Sequence, residues 1–143
     1  GAKPKFGLVY LVRGEDGGIQ NYVLPVHGYG LWSTMWGYLA LEGDANTIAG
    51  ITFYDHGETP GLGGEIDNPR WRAQWEGKRV FDDAGAPAFT VVKGSVDTSS
   101  DMAQYRVDGL SGATLTSNGV TNMMRFWMSE RGYKPFLEQV AGG

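Results

Sequence analysis

Four hydroxyl side chains precede the most regular helical pattern in the sequence: Ser111, Thr114, Thr116 and Ser117. At a helix start, free backbone N–H groups and the positive end of the helix dipole favour a phosphate. Glycines at positions 109 and 112 let the backbone approach a ligand closely. The pattern therefore indicates a phosphate-bearing ligand at this turn, held through a hydroxyl group. The alternative is an ordinary helix cap, which Ser and Thr also form.

A second loop, HGETPGLGG at residues 56–64, contains four glycines and one proline. Its polar side chains, Glu58 and Thr59, are candidates for ligand contacts. The alternative is a tight turn with Glu58 in solvent, where most Glu side chains lie. The His-Gly-Glu start of the loop could form part of a metal site. The chain has two histidines, no cysteine and no matching ligand spacing, which argues against that use.

Other chemistries leave weaker signals in the sequence. No Gly-x-Ser-x-Gly elbow is present to support a serine hydrolase. Lys93 and Arg106 could contact a phosphate, or they could be ordinary solvated charges. Of the five tryptophans, Trp32 alone lies in a glycine-rich loop. Core packing is the simpler role for the others.

The elements that must position these loops are mainly strands in the first half of the chain. Residues 6–12 and 19–26 are rich in β-branched and aromatic side chains and flank a glycine-rich turn, which predicts a β-hairpin. Residues 32–41 and 47–55 predict two further strands, and residues 89–96 another.

Helices are predicted mainly in the last third. An Asn-Pro pair at residues 68–69 predicts an earlier helix start. One apolar stripe at helical spacing consists of Val120, Met123, Met124, Trp127 and Met128. Thr116 or Ser117 is expected to cap this helix, Gly132 to end it, and Pro135 to begin a short final helix. These elements predict an α+β fold, an antiparallel sheet with packed helices.

Length and composition exclude several classes of protein. The 143 residues predict one domain spanning residues 1–143. With 41% hydrophobic residues the chain is not disordered, and its net charge of −4 argues against nucleic acid as a partner. The absence of cysteine excludes disulfides, thiolate metal sites and a Cys nucleophile. No apolar run reaches the ~18 residues of a membrane span. Because the chain enters a predicted strand almost at once after Gly1 and Ala2, we expect an excised soluble piece of a longer protein.

Three motifs, in order along the chain, resemble the signatures of the FMN-binding domain family. They are GYGLW at residues 28–32, HGETPGLG at 56–63 and DGLSGAT at 108–114. The resemblance covers residues 22–133, and the shared order makes the three short motifs strong together. The forms GLW and HGETPGLG are most similar to the C subunits of sodium-pumping NADH:quinone oxidoreductases.

The third motif carries the most specific implication. In the family, a flavin transferase joins FMN through a phosphoester to the last threonine of this motif, which here is Thr114. The resemblance implies that Asp108 is the acidic residue that the transferase reads. It also implies that Ser111, Gly112 and Ala113 form the turn that presents Thr114.

The first two motifs imply the walls of a flavin site. Glu58, Thr59 and Leu62 are then neighbours of the flavin ring and its ribityl chain. Leu31 and Trp32 close the other side. A flat ring with polar edges needs apolar walls and a few hydrogen-bonding groups, which these residue types supply.

The resemblance further implies an electron carrier with no turnover of its own. Its partners would be the other members of a membrane redox complex, and the flavin transferase during maturation. The domain would face the periplasm at the bacterial inner membrane, tethered by an N-terminal helix that these 143 residues do not contain. Two alternatives remain: the G subunit of the related Rnf-type complex, and a ligand-binding or scaffold domain without a redox role.

Overall fold

Four antiparallel strands form the larger sheet, in the order β1-β2-β3-β4. The computed structural model describes residues 8–142. The strands are β1 (Tyr10–Arg13), β2 (Ile19–Tyr29), β3 (Thr34–Glu42) and β4 (Ile48–Asp55). The predicted hairpin and the next two predicted strands are confirmed. The start of the first predicted strand, residues 6–7, lies outside the described residues.

One face of this sheet is apolar because alternate residues along each strand point the same way. On β2, Leu24 and Val26 are buried, and on β3, Met35 and Leu39 are buried. Leu24 lies opposite Leu39 in the β2–β3 register. The helices must therefore cover this face.

Three α-helices and two short 3₁₀ turns complete the described chain. They are α1 (Pro69–Ala73), α2 (Thr114–Trp127) and α3 (Lys134–Gly142), with 3₁₀ turns at Gly63–Asp67 and Asp101–Tyr105. Asn68 caps α1, since its side chain accepts from the Arg70 N–H. The predicted apolar stripe of α2 is buried, so the α+β fold is confirmed. Within residues 8–142, no helix is long and apolar enough to cross a membrane.

The prediction of a strand over residues 89–96 is only partly right. Strand β5 covers Thr90–Val91 and pairs in parallel with β6, Arg106–Val107, in a second small sheet. The chain then turns at Gly94, whose φ is +75°. Gly94 O accepts from the Gly109 N–H at 2.8 Å, so the segment after β5 runs beside residues 108–114 instead of extending the strand.

Helix α2 lies against the part of β2 that extends beyond β1. The Trp127 indole N–H donates to His27 O at 2.8 Å, and the Tyr133 hydroxyl donates to Pro25 O at 2.6 Å. Helix α2 ends at Trp127 rather than near Gly132, because the chain turns back and the Tyr133 N–H donates to Trp127 O at 2.6 Å. Two aromatic side chains thus attach the end of α2 to the sheet.

We expect Tyr133→Phe to lower the free energy of unfolding by about 1 kcal/mol at neutral pH, since Pro25 O loses a buried hydrogen bond. Burial raises the pKa of Tyr133 to about 12 from its ordinary 10.0. The unfolded phenol ionises first, so the wild type loses stability as pH rises from 10 towards about 12, and the variant lacks this contribution. Urea unfolding at neutral pH, and again between pH 10 and about 12, measures the effect. Tyr54→Phe, at an exposed site, is the control, and equal stability of all three proteins at neutral pH would contradict the prediction.

Candidate functional site

Asp108 holds the turn that precedes α2 by hydrogen bonds to two neighbouring segments, the end of α1 and the loop at Val96. Its N–H donates to Gln74 Oε1 at 2.9 Å, and its carbonyl accepts from the Trp71 indole N–H at 2.8 Å. Its carboxylate accepts from the Val96 N–H at 2.8 Å. The half-buried side chain therefore holds the turn in place.

Two glycines permit the close approaches that this turn needs. A Cβ on Gly109 would lie 2.3 Å from Val92 O, so no larger residue fits there without moving the backbone. Gly112 has a φ of +71°, a conformation that L side chains rarely adopt. A Cβ on Gly112 would lie 3.2 Å from the end of Leu62, which brings the 56–64 loop against the turn.

Helix α2 begins at Thr114, and its N-cap residue, Ala113, provides no side-chain hydrogen bond. The prediction that Thr116 or Ser117 caps the helix is wrong, because both lie within its first turn. The Ser117 hydroxyl accepts from the Leu110 N–H and donates to Ala113 O, each at 3.0 Å. Among residues 8–142, no side chain therefore accepts from the first amides of α2, an arrangement that favours an anion.

A groove of about 460 Å³ opens at this helix start, between residues 92–95 and 108–118. Thr114 and Lys93 both line it. Thr114 is exposed, and its hydroxyl has no hydrogen-bond partner among the residues that the structure describes. Ser111 and Gly112 are exposed on the same wall. The groove thus combines an exposed threonine hydroxyl, a lysine in its lining and the first turn of α2, where no side chain of residues 8–142 caps the helix.

Glu58 connects the second motif to the other two. Its side chain is 5% exposed. Oε1 accepts from the Leu31 N–H and the Thr116 hydroxyl, both at 2.7 Å. Oε2 accepts from the Trp32 N–H at 3.0 Å and the Ser33 hydroxyl at 2.8 Å. The alternative of a solvated Glu58 is wrong.

The hydrogen bonds also decide the ionisation of Glu58. Burial alone would raise the pKa of this carboxyl group. The four donors outweigh burial and hold its pKa below the ordinary value. The side chain is therefore a carboxylate at neutral pH, with each oxygen accepting two hydrogen bonds.

Glycines on both sides make room for this carboxylate. A Cβ on Gly30 would lie 2.3 Å from Glu58 Oε1. A Cβ on Gly63 would lie 2.5 Å from Thr116 Oγ1 and 3.1 Å from Glu58 Cβ. Close packing around the Glu58 and Thr116 side chains thus explains Gly30 of the first motif and Gly63 of the second.

His56 supports the backbone of Glu58. Its Nδ1 accepts from the Glu58 N–H at 3.1 Å, and its Nε2 lies 2.7 Å from Asp67 Oδ2. An Nδ1 that accepts assigns the proton to Nε2, which then donates to Asp67. His56 is thus held by one hydrogen bond within the 56–64 loop and by another to Asp67, at the end of the following 3₁₀ turn.

Large apolar side chains stand exposed beside this network. Trp32 is 71% exposed, Leu31 47% and Leu62 45%. Thr59 is also exposed, in the same loop as Leu62. The Leu31 and Trp32 amides are bonded to Glu58, which also bonds Thr116, two residues after Thr114. Glu58 therefore joins the first two motifs, which carry these exposed apolar side chains, to the helix that begins at Thr114.

The sequence does not indicate the roles of two hydroxyl groups at this site. Ser33 and Thr116 bond Glu58 directly. Of the two cations that the sequence offers as phosphate contacts, Lys93 lines the groove with Thr114. The sequence signal for this approach is Gly94, next to Lys93, because a glycine within a strand pattern indicates a bend or a close backbone approach.

Comparison with known proteins agrees with the geometry. The profile of the FMN-binding domain family matches residues 30–129. The C subunit of the Na(+)-translocating NADH-quinone reductase of Yersinia pestis is 57% identical over 94% of this chain and 50% of its own length. The Pseudomonas aeruginosa protein of the same name is 53% identical over 99% of this chain and 54% of its own. The chain thus spans about half the length of these curated relatives.

Solved structures share the fold. The crystal structure of Shewanella oneidensis NqrC superposes with a TM-score of 0.86 at 41% identity, covering 94% of this chain and 61% of that one. The corresponding C subunit from Parabacteroides distasonis gives a TM-score of 0.76 at 40% identity, over 90% of this chain and 61% of that one. The family profile matches well over half of the chain, including the Glu58 network and the groove at Thr114. The chain belongs to the FMN-binding domain family.

Proposed function

We propose that this chain is the FMN-carrying domain of the C subunit of a Na(+)-translocating NADH-quinone reductase, with FMN joined to Thr114 through a phosphoester. One observation carries the proposal. Thr114 presents a free hydroxyl at the uncapped start of α2, in a groove beside Lys93 and next to exposed apolar side chains. The similarity to the C subunits of two bacteria supports the choice of complex over the Rnf-type alternative.

The groove suits a phosphodiester. Such a group carries one negative charge, which the first amides of α2 and the Lys93 ammonium group can stabilise. The φ of +71° at Gly112 turns the chain just before Thr114. The exposed threonine is therefore accessible to another protein.

The neighbouring surface suits a flavin ring. Leu31, Trp32 and Leu62 are exposed large apolar side chains that can make apolar contacts with a ring. Thr59 adds a hydroxyl at the same surface. When bound, FMN supplies the electron-transfer chemistry, and these residues hold and orient it. The domain carries out no turnover on its own in this proposal.

Attachment needs a second protein. A threonine hydroxyl is a weak nucleophile without a base, and among residues 8–142 no side chain is hydrogen-bonded to the Thr114 hydroxyl. We expect a flavin transferase to supply the base and flavin adenine dinucleotide as donor. The bond formed joins Thr114 Oγ1 to the FMN phosphorus. The diphosphate bond breaks, AMP leaves, and the hydroxyl proton passes to the transferase base.

The proposed setting follows from the choice of complex. Within such a complex, the domain would exchange electrons with cofactors of the other subunits at the bacterial inner membrane. It would face the periplasm, where the transferase of this family acts. Accessibility to protease in intact spheroplasts tests this placement, and full protection from outside would contradict it.

Expression with and without a flavin transferase tests the proposed function. We expect yellow colour that survives denaturation only with the transferase, because no base is hydrogen-bonded to the Thr114 hydroxyl among the residues that the structure describes. Purified protein mixed with flavin adenine dinucleotide and Mg²⁺ alone should stay unlabelled. Self-labelling would refute the need for the transferase, and absence of bound flavin in both hosts would refute the proposal.

A further inference from the structure

We infer that Glu58 is a positioning residue, not a ligand of the flavin, and that its carboxylate sets the distance between the ring-contacting residues and the attachment residue. The inference rests on the proposed function. Both oxygens of Glu58 are used within the protein, each accepting two hydrogen bonds. The carboxylate therefore has no lone pair left to meet a ligand.

The carboxylate acts on the backbone of the loop that carries Leu31 and Trp32. Both side chains are exposed, so packing does little to fix them. Their amide groups are fixed instead, at 2.7 and 3.0 Å from the two oxygens of Glu58. The Ser33 hydroxyl adds a third bond and also accepts from the Gly57 N–H at 2.7 Å.

The same carboxylate reaches the helix that carries the attachment residue. Thr116 is buried in the first turn of α2, and its hydroxyl donates to Glu58 Oε1 at 2.7 Å. Thr114 lies two residues earlier in that turn. One side chain thus joins the loop and the helix start, with Gly63 packed closely against Thr116.

A carboxylate is required because every partner is a donor. Glutamine at position 58 would keep the size of the side chain but replace one oxygen with an NH₂ group. That group would face the N–H of either Leu31 or Trp32, which can only donate, so at least one backbone hydrogen bond would be lost. The Thr116 or Ser33 hydroxyl on the same side would also have to reverse its hydrogen bond. Hydrogen bonds to charged groups are among the stronger ones in proteins, so the loop should loosen.

Two variants test the inference, the first of them in the protein without flavin. In Glu58→Gln we expect amide hydrogen exchange at Leu31 and Trp32 to accelerate roughly tenfold or more. Exchange at Leu24 and Leu39, buried in the sheet, should change much less. Equal acceleration at all four amides would show a general loss of stability and overturn the inference, as would unchanged exchange at Leu31 and Trp32.

In the protein loaded with FMN, the test uses Thr116→Val, with Thr116→Ser as the matched control. Valine removes one hydrogen bond to Glu58 without changing the charge, so a shift in the flavin spectrum or midpoint potential reports position. We expect such a shift with valine, attachment retained, and wild-type values restored by serine. Wild-type values in the valine variant would overturn the inference. Failure of the wild type to take FMN would instead refute the proposed function, since the exchange experiment needs no flavin.

Discussion

Replacing Thr114 with alanine should abolish flavin attachment that resists denaturation, while the fold remains intact. The Thr114 hydroxyl oxygen is the atom proposed to bond to the FMN phosphorus, and alanine has no oxygen that could form this bond. The fold should persist because Thr114 is exposed at the first position of α2 and its hydroxyl bonds to no residue in 8–142. Alanine is also a good helix former. Intact-protein mass after expression with a flavin transferase measures the effect.

Two further variants serve as controls for this prediction. Ser111→Ala removes an exposed hydroxyl from the same turn and should leave attachment unchanged. Thr114→Ser keeps a hydroxyl and should retain some attachment. Covalent FMN in Thr114→Ala, mapped to Ser111 or Thr116, would show that the assignment is wrong.

Gly119→Ala should strongly destabilise the fold, although alanine is the better helix former by about 1 kcal/mol. Its Cβ would lie 2.1 Å from Tyr29 O and 3.1 Å from Tyr29 C. Both contacts are backbone, so the clash can be relieved only by moving α2 away from β2. We expect a net loss of about 1–3 kcal/mol or more in the free energy of unfolding, measured in urea.

Gly50→Ala is the matched control for this clash. Gly50 lies in β4, and no atom lies within 4 Å of the position that a Cβ would occupy. Its free energy of unfolding should stay close to that of the wild type. If Gly119→Ala were as stable as Gly50→Ala, the close contact between α2 and β2 would be wrong.

The sheet and α2 could be predicted because their signals are local. Alternating burial on β2 and β3 follows from the two-residue period of a strand, and the apolar stripe of α2 from its helical spacing. The cap of α2 could not be predicted this way. Thr116 and Ser117 are common capping residues, but their hydroxyls are bonded to Glu58 and Ala113 instead.

The candidate site also has one part with a local sequence signal and one part without. The motif around Thr114 is a continuous stretch of sequence, so the resemblance could point to it directly. The role of Glu58 depends on donors 25 to 58 residues away, two of them backbone amides that any residue type except proline provides. Such contacts leave no local pattern, and the sequence therefore indicated a ligand neighbour where the structure has an internal acceptor.

Tandem mass spectrometry of a tryptic digest tests the central claim most directly. Protein expressed with a flavin transferase is cleaved after Arg106 and Arg125, which isolates residues 107–125 in one peptide. Fragment ions then locate any FMN among the hydroxyl residues of that peptide. The account predicts FMN on Thr114 alone. FMN on Ser111, Thr116 or Ser117, or on another peptide, would contradict it.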